Sequence, residues 1–165
     1  MFQSMIDELY SARILSLAAN LPRSGRLPAP QADERRGTGE RVAKLCGSKA
    51  IVDVTLDAEG RIADFAQDVK ACALGQAAAG VLGESVLGAS ADDIEQARDA
   101  MLAMLKSGGE GPAGRFEGLR ALKLVAGYPA RHASTMVAIE ATLDAVRQAL
   151  QRDTADTRTS LAGAA

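Results

Sequence analysis

The chain has 165 residues, 47% hydrophobic and 24% charged, with a net charge of −2 at pH 7, which suits one globular domain. The lack of a basic excess excludes a general nucleic-acid binder, and 3% aromatic residues with no tryptophan exclude a base-stacking platform. The longest uncharged stretch, Ala71 to Gly83, has 13 residues, too few to span a bilayer. MFQSMIDELY lacks a basic secretory region and two cysteines make no disulfide framework, so the expectation is a cytoplasmic protein.

Phe2, Met5, Ile6, Leu9, Tyr10, Ile14 and Leu17 recur at helical spacing and predict an amphipathic helix over 2–19. Asn20 and the cluster Pro22, Gly25, Pro28 and Pro30 end it. Residues 20–38 show no periodicity and read as a connection, either an extended strap or a loose loop. Three strands follow. Arg41 to Leu45 alternates, Cys46-Gly47-Ser48 turns, Ala50 to Leu56 alternates again, and Asp57-Ala58-Glu59-Gly60 makes a tight hairpin loop. Arg61 to Lys70 gives the third strand, with Ile62 and Phe65 toward the core. Short turns between consecutive strands predict an antiparallel meander.

Residues 72–87 are rich in Ala, Leu and Gly and suit close helix packing. Residues 91–106 read as a helix capped by Ser90, with Asp92 and Asp93 in its first turn and Ile94, Ala97, Met101 and Leu105 on one face. Gly108 to Gly114 is a loop. Phe116, Leu119, Leu122 and Val125 mark a short helix ending at Gly127, and Pro129 starts a last helix running to about Gln151. The expectation is therefore an α+β fold over residues 1–152, a three-stranded antiparallel meander with helices packed on one face and an N-terminal helix first. Residues 153–165, polar and small, are expected to form a disordered tail.

Both cysteines bear on chemistry. In a meander, the turn after the first strand and the end of the third lie at the same end of the sheet, so Cys46 and Cys72 converge there. Cys72 also falls at a helix N-terminus, where the dipole favours thiolate, the form that binds metal or attacks sulfur. Two unrelated buried cysteines are the plainer alternative. His132, the only histidine, lies near the start of the last helix, and two Cys with one His make a soft-metal set. Asp53, Asp57, Asp64 and Asp68 read as solvent-side strand and turn residues. Residues 46–105 carry ten acids against four bases, a surplus that reads as a solvated face. Gly37-Thr38-Gly39 lacks the lysine of a phosphate loop.

Several short motifs, in order, carry a resemblance. They are Leu9-Tyr10, Ile14-Leu15, Asn20-Leu21-Pro22-Arg23-Ser24-Gly25, Leu45-Cys46-Gly47-Ser48, Ala71-Cys72-Ala73-Leu74-Gly75-Gln76-Ala77 and Tyr128-Pro129-Ala130-Arg131. With 26 positions from Cys46 to Cys72, the chain resembles the U-type iron–sulfur cluster assembly scaffolds over about residues 9–150. These are the NifU N-terminal domain, IscU and SufU, with SufU the nearest branch.

The resemblance implies a scaffold or carrier rather than a turnover enzyme. It would hold iron, zinc or a [2Fe–2S] cluster, accept sulfur from a cysteine desulfurase and serve recipient apoproteins. Cys46 and Cys72 match two of the family's cysteines, and Cys72 is the candidate persulfide acceptor. The family's aspartate position is Ser48 here, and its third cysteine falls at Ser134. A serine hydroxyl is a poor ligand for soft metals at neutral pH. His132, or a second protomer in a homodimer, would complete the set. Two further readings stand beside this one: a partner-binding module whose metal site has decayed, and a thiol sulfurtransferase using Cys72. No nucleic-acid or membrane partner is expected.

Overall fold

A computed structural model describes residues 11–163, with side chains to residue 152. The elements are helix α1 (Ala12–Ala19), strands β1 (Arg35–Ala43), β2 (Ser48–Leu56) and β3 (Ile62–Lys70), and helices α2 (Ala73–Ser85) and α3 (Ala91–Ser107). Two 3-10 segments (Gly114–Gly127 and Pro129–Arg131) and helix α4 (His132–Gly163) follow. The strands form the expected meander in the order β1-β2-β3, both pairings antiparallel.

The helix expected over 2–19 is seen from Ala12, with Ser11 as its cap accepting from the Ile14 N–H at 3.3 Å. Residues 1–10, and with them Phe2, Met5, Ile6, Leu9 and Tyr10, lie outside the described residues. Ile14 and Leu17 face the core as the periodicity requires.

Strand β1 starts at Arg35, inside the stretch read as connection. Gly37 and Gly39 hid it, since glycine has low strand preference. They are glycine because α4 lies directly on them. A Cβ at Gly37 would run into the carbonyl oxygen of Ala145, and one at Gly39 into that of Ala141. The Thr38 N–H donates to Gln148 of the same helix at 2.7 Å.

Ahead of β1 the chain is a strap, not a loose loop. Gly25 N–H donates to the Gln67 carbonyl at 2.8 Å, and Gln67 N–H to the Arg23 carbonyl at 2.9 Å, so the strap pairs along β3. It then ties down over the sheet at Asp53. That carboxylate, expected to face solvent, is buried. It accepts from Arg26 at 2.7 and 3.1 Å, Leu27 N–H at 3.1 Å and Thr38 hydroxyl at 2.6 Å. Burial pushes the Asp53 carboxyl up, but Arg26, Thr38 and the Leu27 N–H together hold it below the usual carboxylate range.

Ile62 and Phe65 both reach the core, three apart on a strand, because the β2–β3 register shifts at Thr55/Leu56. Ser90 caps α3 through a reciprocal pair with Asp93, and Ile94, Ala97, Met101 and Leu105 are all buried. Phe116, Leu119, Leu122 and Val125, every third residue, are buried on a segment that is mostly 3-10, whose period is three.

Helix α4 continues past Gln151 to Gly163, through most of the stretch expected as a tail. Residues 152–162 contain no proline or glycine to stop it. Its buried residues Met136, Ile139, Leu143 and Val146 pack across β1 and β2, each worth roughly 1.5–3 kcal/mol on burial. Among the described residues no helix is long and apolar enough to cross a membrane.

Candidate functional site at the strand ends

The site forms where three connections meet. Cys46 sits in the β1–β2 turn, closed by a Gly47 N–H to Ala43 carbonyl bond of 2.8 Å, with Gly47 at φ +73°. That positive φ is why glycine follows the cysteine. Ser48 opens β2. Cys72 is the N-cap residue of α2, just past β3. Ser134 lies in the first turn of α4.

These four side chains form one hydrogen-bonded row. Cys46 Sγ lies 3.2 Å from Ser48 Oγ, Ser48 Oγ 2.9 Å from Ser134 Oγ, and Ser134 Oγ 3.2 Å from Cys72 Sγ. The two cysteines thus converge as the meander predicts. They are joined by the two positions where the resemblance places an aspartate and a third cysteine. Both serines are buried, and their hydroxyls satisfy one another. Cys46 is exposed and Cys72 half-buried. The Cys46 thiol is held below its ordinary range, first by the Ser48 hydroxyl and then by the Ser48 N–H, against a smaller opposing effect of burial.

Gly75 makes room for this row. A Cβ there would stand 2.8 Å from the Ser134 carbonyl oxygen and 3.0 Å from its hydroxyl, so α2 and α4 meet at the site only with glycine present. Lys70, Gln76 and Arg131 complete the lining of an open cavity of about 430 Å³ that holds both cysteines. The cations at 70 and 131 were not singled out in the sequence. Arg131 was visible only as part of the Pro-Ala-Arg motif.

His132 is not brought to the cysteines. Two positions before Ser134 on a helix, it points roughly 200° away around the axis. Its Nε2 meets the Val125 carbonyl at 2.9 Å and that of Ala126 at 3.3 Å, pinning the start of α4 to the 3-10 segment. It lines a separate cavity with Arg41, Lys106 and Glu140. Carbonyls only accept, so Nε2 carries the proton. Among the described residues no group of three His, Cys, Asp or Glu is gathered to hold a metal ion.

Residues 9–118 match the family described as the NifU-like N terminal domain. The chain belongs to this family. The NifU-like assignment agrees with the structure of a nitrogen-fixing NifU-like protein (N-terminal) from Brucella abortus. That protein is 44% identical, with 89% of this chain and 98% of that one covered, at a TM-score of 0.82. A protein described as an iron–sulfur cluster assembly scaffold for the SUF system, from Fervidobacterium islandicum AW-1, is 18% identical. It covers 85% and 98% of the two chains at a TM-score of 0.72. A hypothetical protein at 22% identity, covering 86% and 98%, has a TM-score of 0.69. The last two show the shared fold. A comparison with curated proteins returned no match. Membership places the chain with the U-type scaffold family.

Proposed function

We propose that this NifU-like chain is an iron–sulfur cluster assembly scaffold. It accepts sulfur from a cysteine desulfurase and holds iron or a [2Fe–2S] cluster, or zinc, at Cys46 and Cys72 before delivery to recipient apoproteins in the cytoplasm. One observation carries the reading: the two thiols share a single open cavity at the strand ends of a NifU-like domain. Soft thiolate ligands suit iron and zinc. Sulfur acceptance falls more readily to Cys46 than to Cys72, because Cys46 is exposed and its thiol is pulled toward thiolate by Ser48.

The deciding measurement is iron, zinc and acid-labile sulfide per chain after anaerobic purification, with an ultraviolet–visible spectrum. Iron with sulfide and visible charge-transfer bands, lost in Cys46→Ala and Cys72→Ala, is the expected result. Metal retained by both variants overturns the assigned ligands. The hydrogen-bonded serine row favours a second reading, a partner-binding module of the assembly machinery without metal. That reading requires desulfurase binding indifferent to chelator and to loss of either cysteine.

A further inference from the structure

The first turn of α4 borders a second cavity, on the side turned away from the cysteines. It has a volume of about 240 Å³ and shares no lining residue with the cysteine cavity. The end of β1, the C-terminal half of α3 and the first turns of α4 wall it. Ala43, Leu102, Ala133, Met136 and Val137 make those walls apolar. Leu102 is left 38% exposed. An apolar hollow with a few placed polar groups is the usual build of a small-ligand site.

Two polar groups in the lining lack partners among the described residues. His132 is 5% exposed, and its Nε2–H is committed to the Val125 carbonyl. The other ring nitrogen, Nδ1, is therefore an acceptor, and it is buried with no hydrogen bond. A buried acceptor is costly to leave unmade. Lys106, exposed in the last turn of α3, forms no ion pair. Arg41 is already held by Glu140 and Asp144, so Lys106 is the cation of this lining free to take an anion.

The complement has three parts: an aliphatic body for the walls, an N–H or O–H donor for Nδ1, and a carboxylate for Lys106. At about 30 Å³ of liquid per water, the cavity holds the volume of about eight waters, an amino-acid-sized body rather than a nucleotide. We propose that this cavity binds a small aliphatic carboxylate bearing such a donor. An N-acylated aliphatic amino acid, free or as the carboxyl end of a peptide, is the simplest case. Nδ1 is closed to water as the side chains stand, so the donor reaches it as Leu102 and Lys106, both exposed, turn aside. The proposal does not depend on the scaffold reading.

The test is titration of the purified chain with N-acetyl-leucine, read in a long-range nitrogen–proton correlation spectrum. His132 is the only histidine, so its two ring nitrogens give the only imidazole signals. The expected result is a saturable movement of the Nδ1 signal with Nε2 little changed. N-acetyl-leucinamide lacks the carboxylate and isocaproate lacks the donor; each should bind roughly threefold or more weakly. Lys106→Gln should weaken N-acetyl-leucine by a similar factor and leave the amide unaffected. Ala133→Leu fills the cavity from an exposed helical position and should abolish binding, an unmoved Nε2 signal showing that α4 is still seated. The peptide Ala-Ala-Leu with a free carboxyl group separates the two sources: tighter binding than N-acetyl-leucine assigns a protein chain end, weaker binding a free small molecule, and either supports the site. No saturable movement at millimolar N-acetyl-leucine overturns the proposal. So does equal binding of all three probes, binding that leaves the Nδ1 signal in place, or binding unchanged in Ala133→Leu.

Discussion

Replacing Gly39 by alanine tests the contact on which the whole site hangs, the seating of α4 on β1. A Cβ at this position meets the Ala141 carbonyl oxygen and stands 2.7 Å from the Ala145 amide nitrogen and 3.0 Å from the Ala141 carbonyl carbon. All three are helix backbone, so no rotamer change relieves the collision, and α4 has to lift from the strand. Overpacking typically costs about 1–3 kcal/mol where neighbours can yield. Lifting the helix also stretches the 2.7 Å bond from Thr38 N–H to Gln148, worth about 1 kcal/mol net. The Arg41–Asp144 pair adds little, being about half exposed on the arginine side. Alanine restores about 0.5–1 kcal/mol through lower chain entropy. The expected net loss is about 1–3.5 kcal/mol, read by urea unfolding as a lower midpoint at unchanged slope. Gly127→Ala is the control. Nothing lies within 4 Å of its Cβ, so it should be neutral or slightly stabilising. A Gly39→Ala loss below about 1 kcal/mol would refute the backbone-collision reasoning.

Three further outcomes follow from particular contacts. Asp53 has its folded-state pKa depressed, so its contribution is present above the unfolded carboxylate pKa of about 3.9 and is lost as pH falls through the folded value. Asp53→Asn should flatten the acid limb of the stability–pH curve, and should cost about 1–3 kcal/mol at pH 7, discounted for a half-exposed Arg26; an unchanged acid limb would show that the carboxylate is not the titrating group. Ser48→Ala removes the leading cause of the lowered Cys46 pKa, so iodoacetamide should label Cys46 more slowly at neutral pH, the difference vanishing well above pH 9. Ser134→Cys places a third thiol between Ser48 and Cys72, and zinc should then raise the melting temperature more than in the parent; at a hundredfold excess over the variant's dissociation constant the variant's total gain is about 2.7 kcal/mol.

The meander was legible because the segments Arg41 to Leu45 and Ala50 to Leu56 alternate and the turns carry their own chemistry, as with Asp57, which accepts from the N–H groups of Glu59 and Arg61 at 2.9 Å. The convergence of Cys46 and Cys72 followed from that topology alone. What escaped notice depends on contacts distant in sequence. Gly37 and Gly39 look like loop residues until α4, a hundred positions on, occupies the space their side chains would fill. Asp53 looks like a solvent-side residue until the strap brings Arg26 and the Leu27 N–H over the sheet. The end of the last helix was placed at a change in composition, yet polar residues without Gly or Pro carry helix readily.

The start of α4 shows why the ligand positions had to be read through the fold rather than by counting donors. Arg131, His132 and Ser134 lie within four residues yet serve two directions. Arg131 lines the open cavity, His132 ties the helix to the Val125 carbonyl, and Ser134 reaches the cysteines. Helical rotation of roughly 100° per residue turns His132 about 200° from Ser134, while Arg131, three positions before Ser134, stays on the cysteine side. A serine at 134 also costs the fold little, because Ser48 is there to share its hydrogen bond. The two departures from the ligand pattern that the resemblance implies therefore support each other. Placing an aspartate at 48 alone would leave a buried carboxylate facing Ser134 and two thiols with no cation bound between them. Such a variant should be less stable than the parent without metal and should recover when zinc is added. A stable metal-free Ser48→Asp chain would mean that the row is wetter and looser than its buried hydroxyls indicate.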